Sequence, residues 1–403
     1  MPMKYLAVLG RQPEISIAEL AALFDNVEQQ SSEVAFFRSK TEPELARLGG
    51  SLKLAKSLEN ISPEEYLLQL PDGKITLGVS DYTVNSKNYS LRDIKNISQY
   101  GIKIKQALKR KGRSVRLLPN STPVISTAAA HHNGLGGSLK KVELIKFRDE
   151  WFVSIGVQNI TAYKERDQAR PARDAKVGML PPKLAQILIN LCGPLPETAT
   201  ILDPFCGTGV VLQEALLMGY NVYGTDKDER MVKYAERNLD WLMRKGFGGS
   251  EGGTERGSAS NSAARPWRRA EPTRPEEPSK LFACGDATNF KWRGPISAVA
   301  AEIYLGPPMS EPPVEIKLKT VKQECGAILT EFLKNLHSQI AEGTPVTLAI
   351  PAWRRLDGYF ERLISLDFIE ELGYNVLNKS NGGLLYAREN QVVAREIIVL
   401  RKK

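Results

Sequence analysis

The sequence predicts an α/β protein whose C-terminal part is a Rossmann-like sheet, preceded by smaller α+β domains. The first observation is the order strand, glycine turn, helix, strand between Ala199 and Tyr223, which is typical of a βαβ unit. The second is an acidic residue, Asp226, that follows the glycine turn by about twenty positions. The third is the alternation of short apolar strands and helices over the residues before Ile160.

Residues 1–60 are predicted to form a small ferredoxin-like unit. Its expected elements are a strand at Lys4–Leu9, a helix at Ile15–Phe24, a strand at Val34–Phe37, a short helix at Pro43–Leu48 and a further strand after the Gly49-Gly50 turn.

Residues 61–160 are predicted to form a second α+β domain around one basic helix. Its expected elements are strands at Ile75–Tyr82 and Ser114–Leu118, helices at Ile94–Lys111 and Thr127–Ala130, and a hairpin of Val142–Phe147 with Trp151–Val157.

Five basic residues cluster around a glycine at the end of that helix: Lys109, Arg110, Lys111, Arg113 and Arg116. A basic helix on a small domain is often only a solvated face, so composition leaves two interpretations open, a solvated surface and an RNA-binding surface.

Residues 161–195 are predicted to connect this region to the Rossmann-like domain at 196–403. The segment Lys164–Lys176 is dense in charges of both signs and contains Pro171. Pro181-Pro182 then predicts the start of a helix at Leu184–Leu191. The stretch 244–280 contains no Ile, Leu, Val or Met and is rich in Gly, Ser, Pro, Arg and Glu, so it is predicted to be a disordered insertion.

The remaining elements complete the predicted sheet. They are helices at Glu229–Arg244, Val321–Ala341 and Gly358–Leu366, and strands at Leu281–Ala283, Ile296–Ala301, Val346–Ile350, Leu384–Tyr386 and Glu396–Leu400.

Composition narrows the classes of protein that fit. The 403 residues carry a formal net charge of +9, which suits a polyanionic partner without proving one. Four cysteines and three histidines show no metal-ligand spacing, so neither a metal site nor a disulfide framework is expected. No signal peptide or membrane-spanning run of apolar residues is recognised, and a cytoplasmic location is expected.

The chemistry of the glycine turn favours a cationic ligand over a dinucleotide. Residues 203–209 read D-P-F-C-G-T-G, and the entering carboxylate of Asp203 would repel a pyrophosphate. S-adenosylmethionine carries an ammonium and a sulfonium, and Asp226 is placed to accept two ribose hydroxyls. Cys206 is expected to be a small buried residue in this turn and not a nucleophile.

The turn D-P-F-C-G-T-G resembles the cofactor loop of methyltransferases that act on amino groups of RNA and DNA bases. By that resemblance Asp203, Gly207 and Gly209 lie along the methionine end of S-adenosyl-L-methionine, Asp226 binds the ribose, and Asp286 faces the adenine. The cofactor-binding residues that the resemblance implies are Asp203, Pro204, Phe205, Gly207, Gly209, Asp226, Asp286 and Ala287.

The domain order is similar to that of the THUMP-domain methyltransferases. Within them the chain most resembles the archaeal and eukaryotic tRNA guanosine-10 N2-methyltransferases, through the segment Val157–Leu191, the cofactor turn, and YARENQVVAREIIVL at Tyr386–Leu400. The resemblance implies tRNA as the partner, a THUMP-like domain at 61–160 that carries the RNA-binding cluster, and a small activating partner protein in some members. The oligomeric state is not determined by the sequence.

The predicted catalytic loop departs from the family pattern. Amino-methyltransferases carry [DN]-P-P-[YFW] after the fourth strand. Here Glu302-Ile303-Tyr304-Leu305-Gly306 stands where D-P-P-Y-G would, and Pro307-Pro308 follows downstream. Glu302 is interpreted as the acceptor of an amine N–H, and Tyr304 as the ring that stacks on a flipped base.

Three functions therefore remain open on the sequence. The first is methylation of the exocyclic N2 amine of a tRNA guanosine, which the domain order favours. A DNA amino-methyltransferase would share the cofactor turn but would not need the basic N-terminal domain. An RNA-binding protein with a degenerate methyltransferase site is favoured only by the altered catalytic loop.

Overall fold

The computed structural model describes residues 2–174, 179–245, 278–379 and 383–403. These residues form two compact units, one ending at Ala162 and the other beginning at Tyr163. The predicted insertion 244–280 lies outside the described residues except at its two ends.

The first unit is an α+β structure built on one sheet. Its elements are β1 (Met3–Leu9), α1 (Pro13–Leu23), β2 (Asp25–Gln29), β3 (Val34–Ser39), β4 (Ser51–Ser57), α2 (Pro63–Gln69), β5 (Ile75–Asp81), α3 (Leu91–Arg110), β6 (Val115–Leu117), α4 (Thr127–Asn133), β7 (Lys141–Phe147) and β8 (Glu150–Val157).

The strands of residues 1–60 and 61–160 belong to the same sheet. The order among the described strands is β2-β3-β1-β4-β8-β7-β5-β6. β4 pairs with β8 in an antiparallel register that places Lys53 opposite Val157. The predicted boundary near residue 60 therefore falls between strands of one continuous sheet, because the hairpin of β7 and β8 completes the edge that β4 leaves open.

A buried ion pair joins the two halves of this sheet. Lys53 and Glu143 are both fully buried, and the Lys53 ammonium lies 2.6 and 2.9 Å from the two carboxylate oxygens. The Ser80 hydroxyl donates to the same carboxylate at 2.6 Å, and the carbonyl oxygen of Ile125 accepts from Lys53 at 2.6 Å. Each buried charge is thus compensated by an opposite charge and by hydrogen bonds.

The second unit follows α5 (Ile160–Gln168), the helix in which the two units meet along the chain. Its elements are α6 (Pro182–Leu191), β9 (Thr200–Asp203), α7 (Val210–Leu217), β10 (Asn221–Asp226), α8 (Glu229–Arg244), β11 (Phe282–Cys284), β12 (Ala298–Glu302), α9 (Glu315–His337), β13 (Pro345–Arg354), β14 (Phe360–Arg362), α10 (Leu366–Glu371), β15 (Tyr374–Val376), β16 (Leu384–Tyr386) and β17 (Val393–Lys402).

The sheet of this unit has the order β11-β10-β9-β12-β13-β17-β15. The first five strands are parallel, and β17 runs antiparallel to β13. Helix α9 packs its buried face, including Leu329, Phe332 and Leu336, against the core beside β12 and β13. The predicted α/β fold with a Rossmann-like sheet is confirmed.

One predicted element is wrong in type. The sequence predicts a helix at Gly358–Leu366, whereas β14 there pairs with β13 as a hairpin and α10 begins only at Leu366. The turn of this hairpin closes with a hydrogen bond from the Arg355 N–H to the Tyr359 carbonyl oxygen at 2.8 Å, and Gly358 supplies the left-handed residue at φ 86°. Pairing with a long core strand outweighs the weak local helix propensity.

No helix in the described ranges is long and apolar enough to cross a lipid bilayer.

Candidate cofactor and catalytic site

Three carboxylates lie at the ends of three neighbouring parallel strands. Asp226 ends β10, Asp203 ends β9 and Glu302 ends β12. Because β10, β9 and β12 are adjacent and parallel, their carboxyl ends meet at one edge of the sheet. This edge is where open α/β sheets bind their ligands.

The turn after β9 depends on two glycines in the left-handed region. Gly207 has φ 49° and Gly209 has φ 82°, and Gly209 is the residue that caps the start of α7. A Cβ on Gly209 would lie 3.0 Å from the Cβ of Ala235 on α8, so only glycine lets the turn and α8 approach this closely. The Gly209 N–H donates to the Cys206 carbonyl oxygen at 2.7 Å and closes the turn.

The Asp226 carboxylate fastens this turn to β10. One oxygen accepts the Gly207 N–H at 2.9 Å, and the other accepts the Asp228 N–H at 2.9 Å. Burial raises the pKa of Asp226, and these two backbone donors oppose the rise. Each carboxylate oxygen has a second lone pair, which can accept a hydrogen bond from a ribose hydroxyl.

Asp203 is a buried carboxylate that contacts no cation among the residues that the structure describes. It is 2 % exposed, and its described hydrogen-bond partner is the Phe205 N–H at 3.1 Å. Burial raises its pKa well above the ordinary range, and the charges of Asp226 and Glu302 raise it further. Such a group favours binding of a positive charge, because the cation would offset both the burial and the repulsion.

Cys206 lies in the same turn and stays protonated. Its thiol is buried, and burial together with Asp203 and Asp226 raises the pKa well above its usual value. Since the thiolate is the nucleophilic form, the expectation that Cys206 is a packing residue agrees with its surroundings.

Glu302 ends β12 with its side chain 13 % exposed and paired with Arg395 of β17. The Arg395 Nε–H donates to Glu302 Oε1, and Oε2 has no hydrogen-bond partner among the residues that the structure describes. Burial raises the pKa of Glu302, and the Arg395 charge opposes that rise.

The next two residues show what replaces the family's prolines. The Ile303 N–H donates to the Ala349 carbonyl oxygen at 3.1 Å, a hydrogen bond that a proline at this position could not donate. Tyr304 then turns outward with 37 % of its surface exposed. Its ring centroid lies 5.7 Å from the Lys227 ammonium, directly beside Asp226 in sequence.

The other predicted cofactor residues flank this edge in different ways. The Pro204 carbonyl oxygen accepts from the Thr225 hydroxyl at 3.3 Å, and the Phe205 ring packs edge-on against Phe332 with centroids 5.0 Å apart. Asp286 follows β11 at the surface, where its Oδ1 accepts from the Thr288 N–H at 2.9 Å and the Thr288 hydroxyl at 2.7 Å. Ala287 is buried beside it, with 3 % of its surface exposed.

Two residues at this edge, Lys227 and Arg395, were not predicted from the sequence. Arg395 carried a usable signal, because it and Glu396 are charged residues inside the otherwise apolar run of β17. The connector also reaches the turn: Asn238 of α8 bonds both the Ala172 and the Thr208 carbonyl oxygens at 2.9 Å.

The basic cluster of the first unit divides into exposed and tethered members. Lys109, Arg110, Lys111 and Arg116 are exposed. Arg113 instead donates to Asp72 at 2.8 Å and to the Leu70 carbonyl oxygen at 2.8 Å, with its side chain only 11 % exposed. Its guanidinium therefore holds the loop after α2 in place.

Within the described ranges, no group of three or more His, Cys, Asp or Glu residues is arranged to hold a metal ion.

The sheet order with its reversed strand, and the acidic glycine turn at its edge, define the class I methyltransferase fold. Residues 170–246 match the family model of the RMKL-like methyltransferase domain. That segment contains β9, β10, α8 and the glycine turn between the two strands.

Two archaeal relatives extend the assignment. The tRNA (guanine(10)-N2)-dimethyltransferase of Pyrococcus abyssi is 31 % identical over 259 residues, which cover 61 % of this chain and 70 % of the relative. The enzyme of the same name from Methanothermobacter thermautotrophicus is 28 % identical over 202 residues, which cover 50 % of this chain and 47 % of the relative. The chain belongs to the tRNA (guanine(10)-N2)-dimethyltransferase family, and the family recognised in the sequence is confirmed.

The match to the Methanothermobacter relative spans about half of that protein, 47 % of its length. Among solved structures, the crystal structure of TrmN from Thermus thermophilus aligns over 100 % of both chains with 17 % identity and a TM-score of 0.45, and it adds nothing to the assignment.

Replacement of Asp203 by Asn tests whether its buried charge is kept for a ligand. An acid whose folded-state pKa is raised loses stability as pH rises from its unfolded-state pKa, so Asp203→Asn should leave the melting temperature unchanged or higher, most clearly near neutral pH. Affinity for S-adenosylmethionine should fall by about tenfold or more, equivalent to about 1.4 kcal/mol.

Thermal unfolding and titration calorimetry measure the two effects on the same samples. Asp240→Asn, which alters an exposed pair with Arg244, is the matched control and should change neither quantity much. A marked loss of stability in Asp203→Asn, with affinity unchanged, would mean that the carboxylate serves the fold and not a ligand.

Proposed function

We propose that this protein transfers a methyl group from S-adenosylmethionine to the exocyclic N2 amine of a guanosine in tRNA. The observation that carries the proposal is the meeting of Asp203, Asp226 and Glu302 at one edge of the sheet, where Asp203 contacts no cation among the described residues. The curated relatives are named for the guanine at position 10, and we propose the same position here.

The residues of the edge fit S-adenosylmethionine by their chemistry. The glycine turn would let the backbone approach the ligand, Asp226 would accept ribose hydroxyls, and Asp203 would face the positively charged methionine end. The remaining wall of the cofactor site would be lined by residues that flank the same edge, namely Asp286, Ala287, Pro204 and Phe205. When bound, the cofactor supplies an electrophilic methyl group on a positively charged sulfur.

Glu302 would overcome the weak nucleophilicity of the target amine. The lone pair of that nitrogen is delocalised into the base, and it becomes available only as the new nitrogen–carbon bond forms. Transfer of the methyl group would leave the bonding pair of the sulfur–carbon bond on sulfur and would place positive charge on the nitrogen. Oε2 of Glu302 would accept the amine N–H, stabilise this charge and take the surplus proton to solvent.

Tyr304 would hold the flipped base against this carboxylate. Its ring is 37 % exposed at the same edge, and Lys227 lies 5.7 Å from the ring centroid. Burial raises the pKa of the Tyr304 hydroxyl, so the ring stays neutral at physiological pH. A stacked aromatic ring contributes about 1–3 kcal/mol to holding one base.

The exposed basic residues of the first unit would bind the tRNA backbone. Lys109 and Arg110 end α3, Lys111 follows them, and Arg116 lies on β6, all with exposed side chains. Arg113 is left out of this proposed surface, because its guanidinium is bonded to residues 70–72.

The domain limits 1–60, 61–160, 161–195 and 196–403 belong to the same proposal, with 61–160 as the THUMP-like RNA-binding domain.

A cytoplasmic site of action and a small activating partner protein complete the proposal. Both rest on the resemblance to the THUMP-domain methyltransferases that the sequence carries.

Methyl transfer should occur to tRNA and should depend on Glu302 and Tyr304. The full chain, labelled S-adenosylmethionine and unmodified tRNA transcripts should yield N2-methylated guanosine, identified after digestion to nucleosides and located by replacing guanosine 10. Glu302→Gln should lower kcat by about 100-fold, because its oxygen stays with Arg395 and its amide NH2 faces the amine. Tyr304→Phe should remain active, whereas Tyr304→Ala should lose about 5- to 150-fold in activity, the equivalent of about 1–3 kcal/mol of stacking.

Glu361→Gln provides the matched control for Glu302→Gln, since that carboxylate also sits in an ion pair, with Lys322 at 2.5 Å. Methylated adenine or cytosine in duplex DNA, with no product in tRNA, would instead establish a DNA amino-methyltransferase. Binding of both ligands without transfer to any tRNA would establish a degenerate enzyme.

Affinity for tRNA should depend steeply on salt through the basic cluster. The triple variant Lys109→Ala, Arg110→Ala, Lys111→Ala should bind about tenfold more weakly at low salt. Each lost phosphate contact should reduce the slope of log affinity against log salt by about one.

The matched control removes three lysine charges that already take part in ion pairs within the protein. Lys233, Lys334 and Lys379 pair with Glu229, Glu331 and Asp367, and their replacement by Gln changes the net charge equally. Equal losses in the two triple variants, measured by fluorescence anisotropy, would reduce the effect to net charge and reject the proposed surface.

A further inference from the structure

Arg395 is a buried cation placed against the proposed catalytic carboxylate. It lies on β17 with its side chain 6 % exposed, and its Nε–H donates to Oε1 of Glu302. β17 pairs with β13, and β13 pairs with β12, so the ion pair reaches across the strand between its two members. In that register Arg395 lies opposite Pro351, and Glu302 lies beside Ala349.

The charges that face Glu302 come from two strands. Arg395 faces it from β17, and Asp203 faces it from β9 with a like charge. The neighbouring residues of β13 from Ala349 to Trp353 are apolar and carry no titratable group. Burial raises the pKa of Glu302, whereas the charge and the hydrogen bond of Arg395 lower it.

A second charged pair of β17 lies on the other face of the sheet. Glu396 is the next residue of β17, and strand alternation turns its side chain to the opposite face of the sheet. It is 1 % exposed and pairs with Arg362 of β14 at 3.2 Å. Neither Glu396 nor Arg362 is among the charges that act on Glu302.

We propose that Arg395 is a positioning residue for methyl transfer, which fixes Oε1 of Glu302 so that Oε2 faces the target amine as an ionised acceptor. This inference rests on the proposed function and deepens it. Arg395 would not touch the substrate, and it would act only through Glu302.

Steady-state kinetics on the full chain test this with the variants Arg395→Gln and Arg395→Lys. Arg395→Gln should lower kcat by at least about tenfold while the KM values for S-adenosylmethionine and tRNA stay within about twofold. The acidic limb of its kcat–pH profile should move to higher pH, because Glu302 loses the cation that opposes its raised pKa. Arg395→Lys should restore part of kcat and of the profile, since it keeps the charge but not the planar donor.

A double-mutant cycle separates positioning from folding. In the Glu302→Gln background, Arg395→Gln should cost less than about threefold in kcat, because a residue that acts through Glu302 has nothing further to lose. Arg362→Gln, which breaks the other ion pair on β17, should leave kcat and the pH profile unchanged. The cycle keeps the test valid if Arg395→Gln also lowers the melting temperature.

Three results would overturn the proposal while the wild type remains active. They are a wild-type kcat and pH profile in Arg395→Gln, an equal loss from Arg395→Gln in both backgrounds, and a loss expressed only in KM. A wild type that transfers no methyl group to tRNA would overturn the proposed function and this inference together, so the two failures are distinguishable.

Discussion

The burial of three carboxylates at one edge of a parallel sheet is the constraint on which the second unit depends. Asp203, Asp226 and Glu302 end adjacent strands, and the pKa of each is raised, first by burial. The protein holds them together with local compensation: backbone N–H groups bond Asp226, and Arg395 pairs with Glu302. Asp203 receives a single described N–H, from Phe205, and it is the member that favours an external cation.

In the first unit, by contrast, a buried carboxylate is paired with a cation of the protein itself. Glu143 receives the Lys53 ammonium on both oxygens and the Ser80 hydroxyl on one, so its charge is compensated within the fold. Lys53 lies on β4 and Glu143 on β7, the strands on either side of β8, so their ion pair links the two halves of the sheet. The contrast between Glu143 and Asp203 distinguishes a charge kept for structure from a charge kept for a ligand.

Much of the second unit was predictable, because its signals are local. The turn Asp203–Gly209 and the helix Glu229–Arg244 follow from glycine placement and apolar periodicity, and α8 has the predicted bounds. The helix predicted at Gly358–Leu366 failed because β14 gains its stability from pairing with β13, a contact distant in sequence from the pattern that suggested a helix.

The candidate site was predictable in its strand-end residues and not in its partners. Asp203, Asp226 and Glu302 each follow an apolar run that predicts a strand, whereas the pairing of Glu302 with Arg395 joins residues 93 positions apart. Arg113 illustrates the same limit, since its membership of a basic cluster gave no sign of its bond to Asp72. Such contacts depend on strand order and loop path, which one sequence does not specify.

The most direct measurement of the central claim is the number of protons released when S-adenosylmethionine binds. A cation that settles beside Asp203 lowers the raised pKa of that carboxyl, so binding should release protons and affinity should rise with pH through this titration. Calorimetry in buffers of different ionisation enthalpy counts the protons, and Asp203→Asn provides the reference. The account predicts that the wild type releases more protons than Asp203→Asn in mildly acidic buffer. Equal proton release by the two proteins would contradict it.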